Sequence, residues 1–524
     1  MSLSGTITQS LSSLPTLEIV LVIVVLVIVH LVVDYQRSKK LYPPGPTPLP
    51  ILGNILQAGG DLSKTFIKFL DQYGDITQIT MPGNRIVCVA EPDLMAGMFT
   101  PSSSNRYQRR FPASEGMLKI DANNGTLMNA SVEMWKRNRK FFVRALMSTR
   151  LLRECARTFT DLVEDLAECW ENAGPNTPLD VPTWCTAYTG DATALASMGK
   201  RVNAVLHYAT TLGFAPKKDT TKLDETANVV GYSKLMDTYI ESLTYFSFLP
   251  DWVWKYIPSQ NRLAKEYFSN VAKMNPWEDS FIEDARSKLK SGEMGPNDSF
   301  LTELLSAEET ADYDYDNMVK QNFREMFAAG MDTTASALAF LLYELAKYPE
   351  VQEKIAQEIA DVLGNGFQDP NELNKLTYTT AVINETMRLH PAVPMVARMV
   401  SVATEIAGYE LPENTHVMGH LAHMHRDERF FSEPNEFRPE RFLDAEVMKS
   451  LHKHAFSPFG QGTRQCPGIH LAMHMVKVFI VVICPRFTLH LSNPEQKLSY
   501  HWNVVNQPAP FGVFAKRREV KSEA

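Results

Sequence analysis

Phe456-Ser-Pro-Phe-Gly-Gln-Gly-Thr-Arg-Gln-Cys-Pro-Gly468 is the most informative stretch of this chain. The glycines before Cys466, and the proline and glycine after it, let the backbone turn tightly and approach a flat group closely. The apolar run 468–484 follows and stops at Pro485, which predicts a buried helix beginning beside the sulfur. The positive end of that helix favours a thiolate, the form of cysteine that ligates iron. The alternative is a buried structural cysteine in a glycine-rich turn.

The spacing of Phe459, Gly462, Arg464, Cys466 and Gly468 matches the F-x-x-G-x-R-x-C-x-G signature of the cytochrome P450 family, which the chain resembles. The resemblance implies that Cys466 is the axial ligand of a haem iron, with haem b as the cofactor. It also implies that Arg464 holds a haem propionate and that Phe459 shields the sulfur. The implied fold is mainly α-helical with a small β-rich lobe.

A long periodic helix is predicted from Asp314 to Lys347, about 50 Å long at 1.5 Å per residue. It contains Ala329-Gly-Met-Asp-Thr-Thr334, in which the glycine weakens the helix and a threonine hydroxyl can bond to the carbonyl four residues earlier. An acid beside an alcohol can relay protons, so Asp332 and Thr333 are the candidate catalytic residues. The motif resembles the A-G-x-D/E-T of the family, which faces the oxygen site. Without that resemblance it is an ordinary helical segment.

Another helix is predicted to begin at Ser131 and to place Trp135 and Arg139 on one face, where both can reach one anionic group. In the family that the chain resembles, W-x-x-x-R contacts a haem propionate, and Arg398 resembles the residue that reaches a second one. Alone, such a pair is common on helix surfaces. Further basic residues of this helix predict either a solvated face or a docking patch for an acidic electron donor. They are Lys136, Arg137, Lys140 and Arg144.

A charge cluster is predicted from two separate motifs. Glu385-Thr-Met-Arg388 places a carboxylate and a guanidinium one helical turn apart, and Phe437-Arg-Pro-Glu-Arg-Phe442 adds Arg441. Surface pairs with this spacing are abundant and weak. The family uses E-x-x-R and the arginine of P-E-R-F as a buried structural clamp, so the resemblance implies such a clamp here.

The substrate cavity is predicted to be apolar. The irregular stretch 107–130 is too long for a simple connector and indicates a binding loop. Prolines keep the stretch 390–398 extended. The candidate lining residues are Met117, Leu118, Ile120, Ala329, Val393, Met395, Val396 and Phe511.

The N-terminus differs from the rest of the chain. Leu17 to Val33 is an apolar run near the lower length limit of a membrane-spanning helix. It lacks upstream basic residues and a small-residue cleavage site, which predicts a retained anchor within residues 1–36, with a buried strand or core helix as the alternative. Residues 37–50 form a basic, proline-rich hinge in this prediction, and 51–524 form the catalytic domain. The basic residues after the run predict a single-pass protein of the endoplasmic reticulum with a cytosolic catalytic domain.

Composition indicates one large globular unit. The 524 residues are 44% hydrophobic and 21% charged, and the net charge of −8 argues against nucleic-acid binding. The cysteines show no C-x-x-C or zinc spacing and are expected to be reduced. They lie at positions 88, 155, 169, 185, 466 and 484. An aromatic cluster from Tyr245 to Tyr256 predicts either core or a loop at a membrane surface.

The resemblance implies a haem-thiolate monooxygenase that inserts one oxygen atom from O2 into a lipophilic molecule. Steroids, terpenoids, fatty acids and xenobiotics are candidate substrates, with steroid or terpenoid hydroxylation favoured. Electrons would come from NADPH through a separate NADPH–cytochrome P450 reductase, with cytochrome b5 as a further donor, since the sequence has no flavin or nicotinamide fingerprint. One alternative is a peroxide-driven or rearranging haem-thiolate enzyme, against which Asp332 and Thr333 argue. Another is a haem-binding sensor that never turns over.

Overall fold

The computed structural model describes residues 16–38, 42–49, 52–59, 61–82, 84–100, 106–107, 109–110, 114–122, 125–129, 131–216, 227–307, 315–364, 366–367 and 369–518. Residues 1–15, residues 39–41 and 50 of the predicted hinge, and the predicted helix start at Asp314 lie outside the described residues.

Helices make up most of the described chain. In chain order they are α1 (Thr16–Ser38), α2 (Ile55–Ala58), α3 (Leu62–Tyr73), α4 (Pro92–Phe99), α5 (Glu115–Lys119), α6 (Val132–Leu146), α7 (Thr149–Ala173), α8 (Val181–Met198), α9 (Ala204–Leu212), α10 (Ala227–Phe248), α11 (Asp251–Tyr256), α12 (Pro258–Ser291), α13 (Phe300–Ser306), α14 (Tyr315–Lys347), α15 (Pro349–Leu363), α16 (Thr377–Leu389), α17 (Leu421–Met424), α18 (Ala445–Ser450) and α19 (Ile469–Arg486). Short 3-10 helices span Pro370–Lys375, Pro439–Phe442 and Gly462–Arg464.

The strands are β1 (Ile76–Met81), β2 (Asn84–Val89), β3 (Leu179–Asp180), β4 (Met395–Met399), β5 (Thr404–Ile406), β6 (Tyr409–Leu411), β7 (His416–His420), β8 (Phe487–Leu491), β9 (Tyr500–Asn503), β10 (Val505–Pro508) and β11 (Gly512–Arg517). The largest sheet has the order β1-β2-β7-β4, in which only β2 and β7 run parallel. Strands β1 and β2 form an antiparallel hairpin, with Ile76 opposite Val89. The other sheets are β3-β11-β8, β9-β10 and β5-β6. The chain is thus mainly helical with a small β-rich lobe, as predicted.

Helix α14 is buried along most of its length within the largest hydrophobic core cluster. Helix α8 packs along it, and small residues permit the close approach. A Cβ at Gly330 would lie 3.2 Å from the side chain of Thr193, and one at Gly190 would lie 3.7 Å from Met331 Sδ. Glycine destabilises a helix interior. The presence of Gly190 and Gly330 is therefore explained by the close packing of α8 on α14.

Helix α19 follows the Cys466 loop, and its apolar sequence is buried in the same core cluster. The sequence predicts that it ends at Pro485, whereas it continues to Arg486. Proline is most costly in a helix interior, where it removes a hydrogen bond and clashes with the preceding turn. Here it stands in the last turn, and the chain leaves the helix directly into β8 at Phe487.

Helix α1 spans Thr16–Ser38, somewhat longer than the predicted 17–33, and is about 35 Å long at 1.5 Å per residue. Its described side chains between Val20 and Val33 are exposed. Within the described residues its apolar segment is Val20–His30, shorter than a membrane span. Helices α14 and α19 are long and apolar enough for a span, but 78% and 61% of their apolar windows are buried in the body. Those two are core helices.

The aromatic cluster contains both buried and exposed rings. Phe246 and Trp254 are buried, with ring centroids 6.0 Å apart in an edge-to-face contact. Trp252 and Tyr256 are 45% and 80% exposed. Both exposed rings belong to α11, the short helix between α10 and α12.

Candidate active site

Cys466 lies between the 3-10 turn Gly462–Arg464 and the start of α19. Its backbone N–H donates to the carbonyl oxygen of Phe459 at 2.9 Å, which closes the loop. Gly462 has φ +70°, and a Cβ there would lie 1.8 Å from the carbonyl oxygen of Phe99. Both observations require glycine, because other residues are strained at this φ and too large for this gap. The sulfur is therefore held beside the N-terminus of a buried helix.

The pKa of the Cys466 thiol is subject to opposing influences. Burial raises its pKa, while the N–H of Gly468 and the charges of Arg139 and Arg110 lower it. It is partly exposed, whereas the other cysteines are buried. Burial also raises the thiol pKa of Cys88, Cys155, Cys185 and Cys484. Because burial dominates at Cys466, a bound cation must complete its deprotonation, as metal binding does for cysteine ligands.

Four arginines from separate parts of the chain act on one another near the loop and form an arginine cluster, in which Arg398 and Arg464 are buried and Arg110 and Arg139 are half-buried. Burial first, and then the charges of Arg110 and Arg398, lower the pKa of Arg464 to about 7. Burial and Arg110 lower the pKa of Arg398 to about 9. A guanidinium keeps its proton in proteins, so these shifts mark an excess of positive charge that an anion would stabilise.

The contacts of these side chains fit an anion with several acceptor oxygens. The guanidinium of Arg464 lies 3.6 Å from the centre of the Trp135 ring. Arg139 donates to the carbonyl of Gln465, and Arg110 donates to the carbonyl of Arg464 at 3.5 Å. Trp135 Nε1 is buried and has no acceptor within the described part of the chain. A buried donor without a described acceptor, beside several guanidinium groups, fits the two propionates of haem.

Glu325 of α14 holds the segment 126–128 beside these arginines by hydrogen bonds. Its carboxylate accepts from the N–H groups of Thr126, Leu127 and Met128 at 2.5, 2.6 and 2.9 Å. Burial raises the pKa of Glu325 to about 7 against these hydrogen bonds and the nearby charge of Arg110. Neither Glu325 nor Arg110 was predicted from the sequence to belong to the site. Neither belongs to a motif, and only the tertiary structure brings them to the arginine cluster.

One face of α14 is open in a helix that is otherwise buried. Ala329 is exposed and Thr333 half-buried, one helical turn apart. Thr333 Oγ1 donates to the carbonyl of Ala329 at 2.6 Å, the back-bond that the sequence predicts. Asp332 is only 6% exposed, and its Oδ2 has no partner among the described residues. Burial, and then the charge of Asp237, raise the pKa of Asp332 to about 7, so this carboxyl holds a proton near neutrality.

Glu385, Arg388 and Arg441 lie together in the interior. Arg388 Nε and Nη2 donate to the two oxygens of Glu385 at 2.8 and 2.9 Å, and Arg441 Nε donates to Glu385 Oε1 at 3.0 Å. The side chains of Glu385 and Arg388 are 0% exposed and that of Arg441 is 4% exposed. Arg388 also donates to the carbonyls of His425 and Pro434 at 2.9 and 2.7 Å. These bonds tie α16 to the chain leading to Cys466.

The structure separates several of the predicted cavity-lining residues. Met117 and Ile120 are buried in the core, whereas Leu118 between them is 57% exposed. Val393 is half-buried before β4. Met395 packs in the β-lobe core and Val396 against a different cluster. Successive strand residues point to opposite faces, so Met395 and Val396 do not line one wall together.

Phe511 lies beside the C-terminal part of α14. Its ring packs edge-on against Tyr343 of α14, with centroids 5.5 Å apart, and it is buried in the core. Tyr343 lies eleven residues beyond Asp332, or about 16 Å along the helix axis. The strand hairpin that does reach α14 and α10 is β9–β10.

Comparison with known proteins agrees with this geometry. Residues 43–514 match the family described as Cytochrome P450. The chain belongs to the cytochrome P450 family and is an oxygen-incorporating oxidoreductase, a monooxygenase. The family implies a haem ligated by a cysteine thiolate.

Its similarity to individual relatives is low but extends over most of the chain. Carnosic acid synthase of Rosmarinus officinalis is 27% identical over 487 residues, covering 87% of this chain and 89% of the relative. Cytochrome P450 2J1 of Oryctolagus cuniculus is 28% identical over 494 residues, covering 91% and 92%. Cytochrome P450 2J2 of Homo sapiens is 27% identical over 493 residues, covering 90% and 91%.

Proposed function

We propose that this protein inserts one oxygen atom from O2 into a lipophilic small molecule, with haem b held by Cys466. The observation that carries the proposal is the open face of α14, where Thr333 stands beside a carboxyl, Asp332, that holds a proton near neutrality. A thiolate-bound haem supplies the electron density that favours cleavage of the O–O bond. The contribution of Asp332 and Thr333 is to hold and deliver protons on the substrate side.

The haem propionates are assigned to the arginine cluster. Trp135, Arg139, Arg398 and Arg464 are the proposed contacts from the sequence, and Arg110 is added from the structure. Phe459 is proposed to cover the sulfur, since its carbonyl holds the backbone of Cys466. Glu325 is not a haem contact in this proposal but positions the segment 125–129.

Steroids, terpenoids, fatty acids and xenobiotics remain the proposed substrate classes, with steroid or terpenoid hydroxylation favoured. Similarity to carnosic acid synthase supports the terpenoid class. Ala329, Val393 and Val396 are the proposed lining residues that are not buried in a core.

A separate NADPH–cytochrome P450 reductase is the proposed electron donor, with cytochrome b5 as a further one. The exposed cations Lys136 and Lys140 of α6 support a surface for an acidic partner. Arg144 contributes less to such a surface because it pairs with Glu303 at 2.6 Å.

Alanine at Thr333 should uncouple NADPH consumption from product formation. Positioned proton-transfer groups contribute about 10²- to 10⁴-fold to such steps, so product per NADPH should fall at least about 10-fold while hydrogen peroxide rises. The measurement compares NADPH, product and peroxide in the protein reconstituted with reductase.

Thr186→Ala is the matched control, because the Thr186 hydroxyl makes the same type of helical back-bond, to Pro182 at 3.0 Å, on an exposed face of α8. Unchanged coupling in Thr333→Ala would show that this pair is not the proton path. Absence of any NADPH-dependent product in the unmodified protein would instead favour a binding protein.

Deletion of residues 1–36 should release much of the protein from microsomes and leave the haem spectrum unchanged. The proposed single-pass anchor is supported by the length of α1 and its exposed apolar side chains. Exposed Trp252 and Tyr256 would leave part of the protein bound peripherally. Sedimentation of membranes and a haem spectrum of each fraction are the measurements. Loss of the spectrum would mean that α1 is core.

A further inference from the structure

Helix α10 has an acidic stripe beside its apolar, buried face. Asp237, Glu241, Thr244 and Phe248 recur at intervals of four, three and four residues, so they share one face of the helix. Asp237 and Glu241 are accessible, whereas Phe248 at the end of the stripe is buried.

The neighbours of this stripe show where it faces. Phe248 packs in the cluster that contains Met395 of β4 and Trp502 of β9. Helix α10 contacts both α14 and β9, and α14 contacts β10. The stripe therefore borders the space between α10, α14 and the β9–β10 hairpin, on the side of α14 where the charge of Asp237 acts on Asp332.

The carboxyl groups at this border have no basic partner among the side chains that the structure describes. Within the described part of the chain, no basic side chain forms an ion pair with Asp237, Glu241 or Asp332, or contributes to the pKa of Asp237 or Asp332. Burial, and then the charge of Glu241, raise the pKa of Asp237 to about 6. One oxygen of Asp332, Oδ2, is buried and unpartnered. Acidic groups beside an apolar cavity are destabilised unless a cation complements them.

We propose that the substrate cavity recognises lipophilic molecules that carry an ammonium group, with the cation held by Asp237 and Glu241 on α10 beside Asp332 on α14. This inference rests on the proposed monooxygenase function and narrows its substrate class. The apolar remainder of the ligand would lie along the open face of α14 at Ala329 and Thr333.

The pH dependence follows from the carboxyl groups that face the site. Asp237 and Glu241 come from α10 and Asp332 from α14. Asp237 and Asp332 attract a cation only when ionised, so the affinity for a permanent cation should rise as the pH increases through about 6 to 7. A neutral ligand of the same chain length should show no such rise.

The test is a spectral titration of the full-length haem-loaded protein with dodecyltrimethylammonium and with 1-dodecanol, both below their aggregation range. The quaternary nitrogen cannot ligate iron or lose its charge, so changes with pH report on the protein. At pH 8 the cation should bind on the order of 10-fold more tightly than the alcohol. At pH 5.5 most of that preference should disappear.

Asp237→Asn and Glu241→Gln should each weaken binding of the cation severalfold and leave binding of the alcohol unchanged. Asp161→Asn, at an exposed position on α7, is the matched control and should change neither. The carbon monoxide spectrum of each variant verifies its haem site. Equal affinities for cation and alcohol, failure of both to bind, or an unaltered preference in both variants would overturn the inference. Loss of the thiolate spectrum in the unmodified protein would instead count against the proposed function.

Discussion

Cys466→Ala should abolish the carbon monoxide difference band of thiolate-ligated ferrous haem. In the structure, the N–H of Gly468 and the charges of Arg139 and Arg110 favour the Cys466 thiolate against the effect of burial. Alanine offers no ligand atom, so the thiolate signature should disappear completely, and monooxygenase activity with it. A difference spectrum of the reduced protein with carbon monoxide is the measurement.

Measuring the haem content of Cys466→Ala distinguishes loss of the thiolate ligand from loss of the whole haem site. The arginine cluster does not depend on the sulfur, so residual haem without the thiolate band is the expected state of Cys466→Ala. Cys484→Ala, at the far end of α19, is the matched control because it removes a buried thiol from the helix that Cys466 precedes. It should retain the band. Persistence of the band in Cys466→Ala would refute the proposed ligand.

Glu385→Ala should yield little haem-loaded protein. It removes the carboxylate that pairs with Arg388 and Arg441 and leaves two guanidinium groups buried without a counter-charge. Breaking a buried ion pair in this way costs about 3 to 5 kcal/mol. Many domains have a total unfolding free energy of only about 5 to 15 kcal/mol, so the loss is severe. The haem-to-protein ratio and the thermal unfolding midpoint are the measurements.

Glu440→Ala is the control for the clamp. Glu440 also pairs with a basic side chain, Lys354, at 2.8 Å, but both side chains are 54% exposed. Exposed pairs contribute about 0 to 1 kcal/mol, so this variant should express and bind haem normally. Normal haem content in Glu385→Ala would show that the clamp contributes no more than a surface bridge.

The sequence alone predicted the features that depend only on neighbouring residues in the chain. The glycines around Cys466, the apolar run of α19 and the back-bond of Thr333 follow from conformational preferences over a few residues. The family resemblance rests on motifs of this kind, and the match over residues 43–514 confirms it. The small error at Pro485 has the same origin, because a local rule places a helix end only to within one or two residues.

Burial and long-range charge were decided by the tertiary structure. Glu385 and Arg388 have the spacing of a common surface pair, and only their complete burial makes them a clamp. The packing of Phe511 on Tyr343 joins residues 168 positions apart and likewise depends on the tertiary structure. Arg110, Glu325 and Asp237 belong to no motif. Their roles depend on charges that the fold brings together from distant segments. Coulomb interactions depend on separation in space and on the exclusion of water. Spacing along the chain determines neither.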